Sequence, residues 1–166
     1  MPPLPPPDIL MASDRISRYH SMADFDRARR NELPAFHHKP LGQTSKSIRL
    51  LEVLPGLACE SIKCRLSQHD LDDEASYLAL SYTWDRDGRT RTIECDGTRL
   101  DIGYNRWMFL CEFRTKQMLR QYYGKGLKVK LPHIWIDAVC IDQTNMEERN
   151  HQVGMMRDVY LSLIHI

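Results

Sequence analysis

The residue most out of place in this 166-residue chain is Asp137, set within HIWIDAVCI at 133–141. Nearly continuous apolar runs of this length form buried strands, usually parallel ones in α/β sheets. On such a strand Asp137 shares a face with Trp135, Val139 and Ile141. A buried carboxylate must be paired or hydrogen-bonded, or it protonates. The stretch YLALSYTW at 77–84 offers partners: large Leu78, Leu80, Tyr82 and Trp84 alternate with small Ala79, Ser81 and Thr83. If the two strands are neighbours, Ser81 and Thr83 can satisfy Asp137. Two roles then fit the carboxylate: fixing strand register or clamping a loop, or serving a ligand at the carboxyl edge of a parallel sheet.

Asp142 and Gln143 follow where strand gives way to helix, beside the positive end of the helix dipole. That position suits an anion or a ribose hydroxyl, and equally a plain helix cap. Glu148, Arg149 and Gln152 occupy the first turns, with Glu148 and Gln152 four apart on one face, the spacing of a surface pair. Cys140 lies between His133 and His151 in sequence, yet a buried strand thiol is inert unless its pKa is lowered. No P-loop, GxGxxG or GxSxG is present in the sequence.

Lys and Arg total 23 against 22 Asp and Glu, a formal charge of +1, which leaves no electrostatic footprint for nucleic acid or an anionic membrane. No apolar run reaches the ~18–20 residues of a membrane span, and no secretory signal pattern opens the chain. Cys59, Cys64, Cys95, Cys111 and Cys140 contain no CxxC pair and read as reduced thiols of the cytosol or nucleus, and a cytoplasmic protein is expected. Cys59 and Cys64 with His69 could be half of a zinc site, but the other half is missing.

The elements that must hold these residues begin near Ser47. Five of the first seven residues are proline, so residues 1–45 are expected to be a disordered leader, with a weak helix at 14–30. Ile48 to Leu54 and Ile62 to Leu66 are expected as two strands joined by a turn, and 69–75 as an acidic loop. Asp96-Gly97 between 91–95 and 98–102 predicts a hairpin with a type I′ turn. Asn105 can cap a helix reaching Tyr123, striped by Trp107, Leu110, Cys111, Arg114, Met118 and Tyr122. Thr144 and Glu147 form a capping-box pattern before a helix whose stripe would be Met146, Val153, Met156 and Tyr160. The order of strands and helices is that of an α/β fold.

Four pieces stand in a recognisable order: IRLLEVLPG at 48–56, YLALSYTW at 77–84, IECDGTRLDI at 93–102 and WIDAVCIDQTNMEERNHQVGMMRDVY at 135–160. Together they resemble the heterokaryon incompatibility (HET) domain of filamentous fungi over about residues 47–160. Asp85 stands where the family has glycine and Asp142 where it has asparagine. After Tyr160 the pattern is lost, and residues 161–166 are read as a non-native tail on an incomplete domain.

The resemblance implies a module of non-self recognition and programmed cell death, with a TIR/flavodoxin-like, mainly parallel sheet carrying an added hairpin. It implies protein partners or self-association through the domain. Through the distant likeness to TIR domains it also implies NAD cleavage as an alternative, with Glu148 as the catalytic candidate. NAD would then be a substrate, and no cofactor is otherwise implied. Ser81, Tyr82, Trp84, Asp137, Cys140, Asp142, Gln143 and Arg149 are the ligand-binding or site-shaping candidates. A non-catalytic nucleotide-binding switch is a third reading.

Overall fold

The computed structural model describes residues 32–41, 46–57, 60–73, 76–80, 88–123 and 133–161. The expected helix at 14–30, most of the leader, Cys59 and the candidates Ser81, Tyr82 and Trp84 lie outside the described residues.

Strand β1 (Ser47–Val53) is the centre of the molecule, and Ser47 to Leu51 are all buried. Strand β2 (Lys63–Asp70) pairs with it antiparallel from Ser47↔Asp70 to Val53↔Cys64, so the expected pair of strands is present. His69 and Asp70, read from the sequence as loop, complete β2 because each has a ladder partner in β1.

Strand β3 (Tyr77–Leu80) runs parallel to β6 (His133–Ile136), confirming the neighbourhood that the two apolar runs suggested. Strands β4 (Thr90–Cys95) and β5 (Thr98–Gly103) form the expected hairpin. Asp96 at φ 50° and Gly97 at φ 74° both sit in the left-handed region that a type I′ turn requires.

The six strands lie in the order β3-β6-β1-β2-β4-β5. With helices α1 (Tyr104–Tyr123), α2 (Asp137–Cys140) and α3 (Met146–Leu161) this is an α/β fold, as expected. The sheet is mixed rather than mainly parallel: β3–β6 and β2–β4 are parallel, whereas β1–β2, β1–β6 and β4–β5 are antiparallel. The hairpin reaches β2 through only two residue pairs, Lys63↔Glu94 and Cys64↔Cys95.

Helix α1 starts one residue before the expected cap, since β5 runs into it without a linker and the Tyr104 N–H donates to the Arg89 carbonyl at 3.0 Å. Trp107, Leu110 and Arg114 of the expected stripe are buried. Arg114 fastens the helix to the β1–β2 connection by donating to the carbonyls of Ser61 at 3.2 Å and Glu60 at 3.1 Å.

The apolar run 133–141 is not one strand. It breaks after Ile136 into the single turn of α2, and Asp137 is half-buried at the start of that turn rather than enclosed mid-strand. Its Oδ1 accepts the Ala138 N–H at 2.6 Å, a local bond that competes with a strand ladder. Ile141 N–H closes the turn on the Asp137 carbonyl at 3.1 Å.

A further difference is a strap. Residues 32–41, which the sequence leaves in the leader, lie against the sheet, with Ala35 bridged in parallel to Arg99 of β5 and Leu41 buried. Among the described residues no helix is long and apolar enough to cross a membrane.

Candidate functional site

The polar centre of the fold is built from β1, the loop after α2 and the first turn of α3. Arg49 is the one charged side chain in the buried part of β1. A guanidinium there must find an anion and carbonyls, because it stays charged at any pH of interest. Glu148 supplies the anion. Arg49 Nη1 donates to Glu148 Oε1 at 2.5 Å and Nη2 to Oε2 at 2.9 Å, a bidentate fork with side chains 5% and 3% exposed.

The remaining capacity of both groups is used by main chain. Arg49 Nη1 also donates to the Cys140 carbonyl at 3.0 Å, and Nη2 to the carbonyl of Lys39 in the strap. Glu148 Oε1 accepts the Asp142 N–H at 2.8 Å. One ion pair therefore ties together the strap, β1, α2, the following loop and α3. Burial by itself would raise the Glu148 carboxyl. The hydrogen bonds from Arg49 and from the Asp142 N–H, with the guanidinium charge, outweigh it and hold the group below the usual carboxylate range.

The loop that aims Glu148 is fixed by its own side chains. Asp142 Oδ1 accepts from the Thr144 N–H at 3.0 Å and its hydroxyl at 2.6 Å. Burial raises the Asp142 carboxyl, but these two bonds prevail and lower it. Gln143 Nε2 donates to the Asp137 carbonyl at 3.0 Å. Asn145, not Thr144, caps α3: its Oδ1 accepts the Glu148 N–H at 3.1 Å.

The structure thus brings Asp137, Cys140, Asp142, Gln143 and Glu148 together around one turn and one helix start. Arg149 is apart, exposed on α3. Cys140 is fully enclosed, and burial pushes its thiol up to about 12, the opposite of what a nucleophile needs. Glu148 and Gln152 are not a surface pair; Gln152 is 1% exposed and donates from Nε2 to the Ser47 carbonyl at 2.9 Å. The expected stripe of α3 holds in part: Met156 and Tyr160 pack against the core, but Met146 is 66% and Val153 54% exposed, while Glu148, Gln152 and Val159 face inward.

Sequence reasoning missed Arg49 and the strap. The available signal was Arg49 itself, which on a strand shares its face with Leu51 and Val53 and not with Glu52; a charge on an apolar face demands a buried acid elsewhere in the chain.

Next to the fork, the strap and the sheet border a partly open cavity of about 240 Å³ lined by Phe36, Lys39, Arg49, Leu66, Gln68 and Thr98, among others. That is below the roughly 300–1,000 Å³ common for small-molecule sites. Among the described residues no group of three His, Cys, Asp or Glu side chains is placed to hold a metal.

The family model described as heterokaryon incompatibility protein (HET) matches residues 77–163, about half the chain. The chain belongs to the heterokaryon incompatibility family. It is 31% identical over 146 residues to "Heterokaryon incompatibility protein 6, OR allele" of Neurospora crassa, an alignment covering 84% of this chain and 21% of that protein. The chain therefore spans about a fifth of the length of this HET relative. No solved structure matches it. Glu148 falls inside the stretch matched by the HET family, whereas Arg49 and the strap precede it.

Proposed function

We propose that this chain is part of a heterokaryon incompatibility protein acting in non-self recognition, and that its HET domain works by protein–protein assembly leading to cell death. The family match over residues 77–163 carries this reading. The spent state of Glu148 supports assembly over catalysis. Both of its carboxylate oxygens accept hydrogen bonds from Arg49, one also from Asp142, and its side chain is 3% exposed. A general acid or nucleophile needs a proton or lone pair directed at substrate. The expectation of NAD cleavage by Glu148 gains no support from these surroundings.

The test is to follow the mass distribution of the concentrated chain by sedimentation velocity, with nicotinamide release from NAD measured on the same samples. Concentration-dependent assembly without nicotinamide release is expected. Nicotinamide release that disappears in Glu148→Gln would overturn the assembly-only reading and restore the enzyme. A chain that stays monomeric at every concentration would remove the assembly reading.

A further inference from the structure

Residues 34–41 lie on this fold as a bound peptide would. The Arg99 N–H donates to the Pro34 carbonyl and the Phe36 N–H to the Arg99 carbonyl, both at 2.8 Å, on the edge of β5 away from β4. Beyond this bridge the side chains alternate. Phe36 and His38 turn inward and are half-buried, while His37 and Lys39 are exposed. His38 Nε2 donates to the Val139 carbonyl at 2.8 Å, and Leu41 closes the segment 8% exposed. Main-chain bonds to a free strand edge with pockets for alternate side chains are the mode of β-strand addition.

A departing strap takes the Lys39 carbonyl from Arg49 and the His38 bond from the Val139 carbonyl, but the ion pair and the hairpin are internal to the body. Arg49 keeps Glu148 and the Cys140 carbonyl when the Lys39 carbonyl leaves, and Arg99 keeps its place opposite Glu94 in the hairpin. What a departing strap exposes is an unpaired strand edge, a template for another chain. The segment with demonstrated fit to that edge is the strap itself, and every copy carries one.

The geometry points to an exchangeable strap: residues 34–41, bridged to the β5 edge at Ala35, seat on their own chain in the monomer and on a second copy in the assembled state. Exchange of an identical element preserves every contact and so is a low-cost route to association. Four residues, 42–45, join Leu41 to Lys46 and are the hinge at which an exchanged strap would cross to the second copy. This inference rests on the assembly reading above and supplies its contact.

The test uses two separately tagged full chains, one with Ala35→Cys and one with Arg99→Cys, mixed at high concentration and oxidised with oxidised glutathione. A disulfide-linked heterodimer joining the two tags is expected, about tenfold above the mixture of Ala35→Cys with Asp101→Cys, because only the bridged pair is held at high effective concentration. Heterodimer no more abundant than that displaced-register control overturns the proposal. The double variant Ala35→Cys/Arg99→Cys at low concentration should close within one chain; failure to do so removes the seat of the strap and the proposal with it. Sedimentation of the unmodified chain separates the two ideas. Assembly without crossed heterodimer refutes the exchange and leaves the assembly reading standing; absence of any assembly ends both.

Discussion

Arg49 of β1 and Glu148 of α3, 99 residues apart in sequence, meet as a two-pronged ion pair at 2.5 and 2.9 Å inside the fold. A charge pair so placed repays its desolvation only while both members and their carbonyl partners are present.

Removing one member is therefore expected to be worse than removing both. Glu148→Ala should cost about 3–5 kcal/mol, because it strands a buried guanidinium. The double variant Arg49→Met/Glu148→Leu should cost clearly less than the sum of the single losses. Urea unfolding of the three variants, followed by tryptophan fluorescence, measures the difference. Additive losses would show that the pair is uncoupled.

Acid should unfold this chain through the same groups. The carboxyls of Glu148 and Asp142 are both lowered in the fold, against unfolded values of about 4.5 and 3.8. A depressed carboxyl contributes stability that is fully present above its unfolded pKa and lost as pH falls through the folded one. Stability is thus expected to be level above about pH 5 and to fall below about pH 4. Glu148→Gln should flatten that acid limb in denaturation midpoints taken from pH 3 to 7.

Thiol labelling should sort the cysteines by burial. Cys140 and Cys95 are each pushed up to about 12 by burial, which leaves roughly one part in ten thousand as thiolate at pH 8. Among the described cysteines, half-buried Cys111 should react with iodoacetamide first, as read by peptide mass spectrometry. Rapid native-state labelling of Cys140 would contradict its enclosure.

The start of α3 gives a sharper contrast. Asn145→Ala should lower stability by about 1 kcal/mol, because it removes the acceptor of the Glu148 N–H. Thr144→Ala, which removes only an exposed bond to Asp142, should cost less than half as much. The reverse order in thermal unfolding would restore Thr144 as the cap.

The strands and the hairpin were legible because their signals are local. Alternation along 62–67, the pair Asp96-Gly97 and the apolar runs at 77 and 133 each declare themselves within a few residues. The site was not, because its signals are long-range. Glu148 and Gln152 look like a solvated face until Arg49 and the Ser47 carbonyl, about a hundred residues away, are known to meet them. Met146 and Val153 mislead for the same reason: apolar spacing says which residues share a face, and only the tertiary partner says which face is covered. Asp137 misled differently, since one hydrogen bond to its neighbour ends a strand that the apolar run continues.

The strand order carries a practical consequence for where the family's boundary is drawn. The matched stretch begins at residue 77, yet β6 inside it is flanked on one side by β3 and on the other by β1, which ends at Val53. A recombinant fragment cut at the start of the match would carry Ile134, Trp135 and Ile136 on a strand stripped of one neighbour, and Glu148 without its cation. Such a fragment should be recovered as insoluble aggregate. A fragment that keeps β1 retains both the neighbour of β6 and the partner of Glu148, and is expected to stay soluble where the shorter one does not.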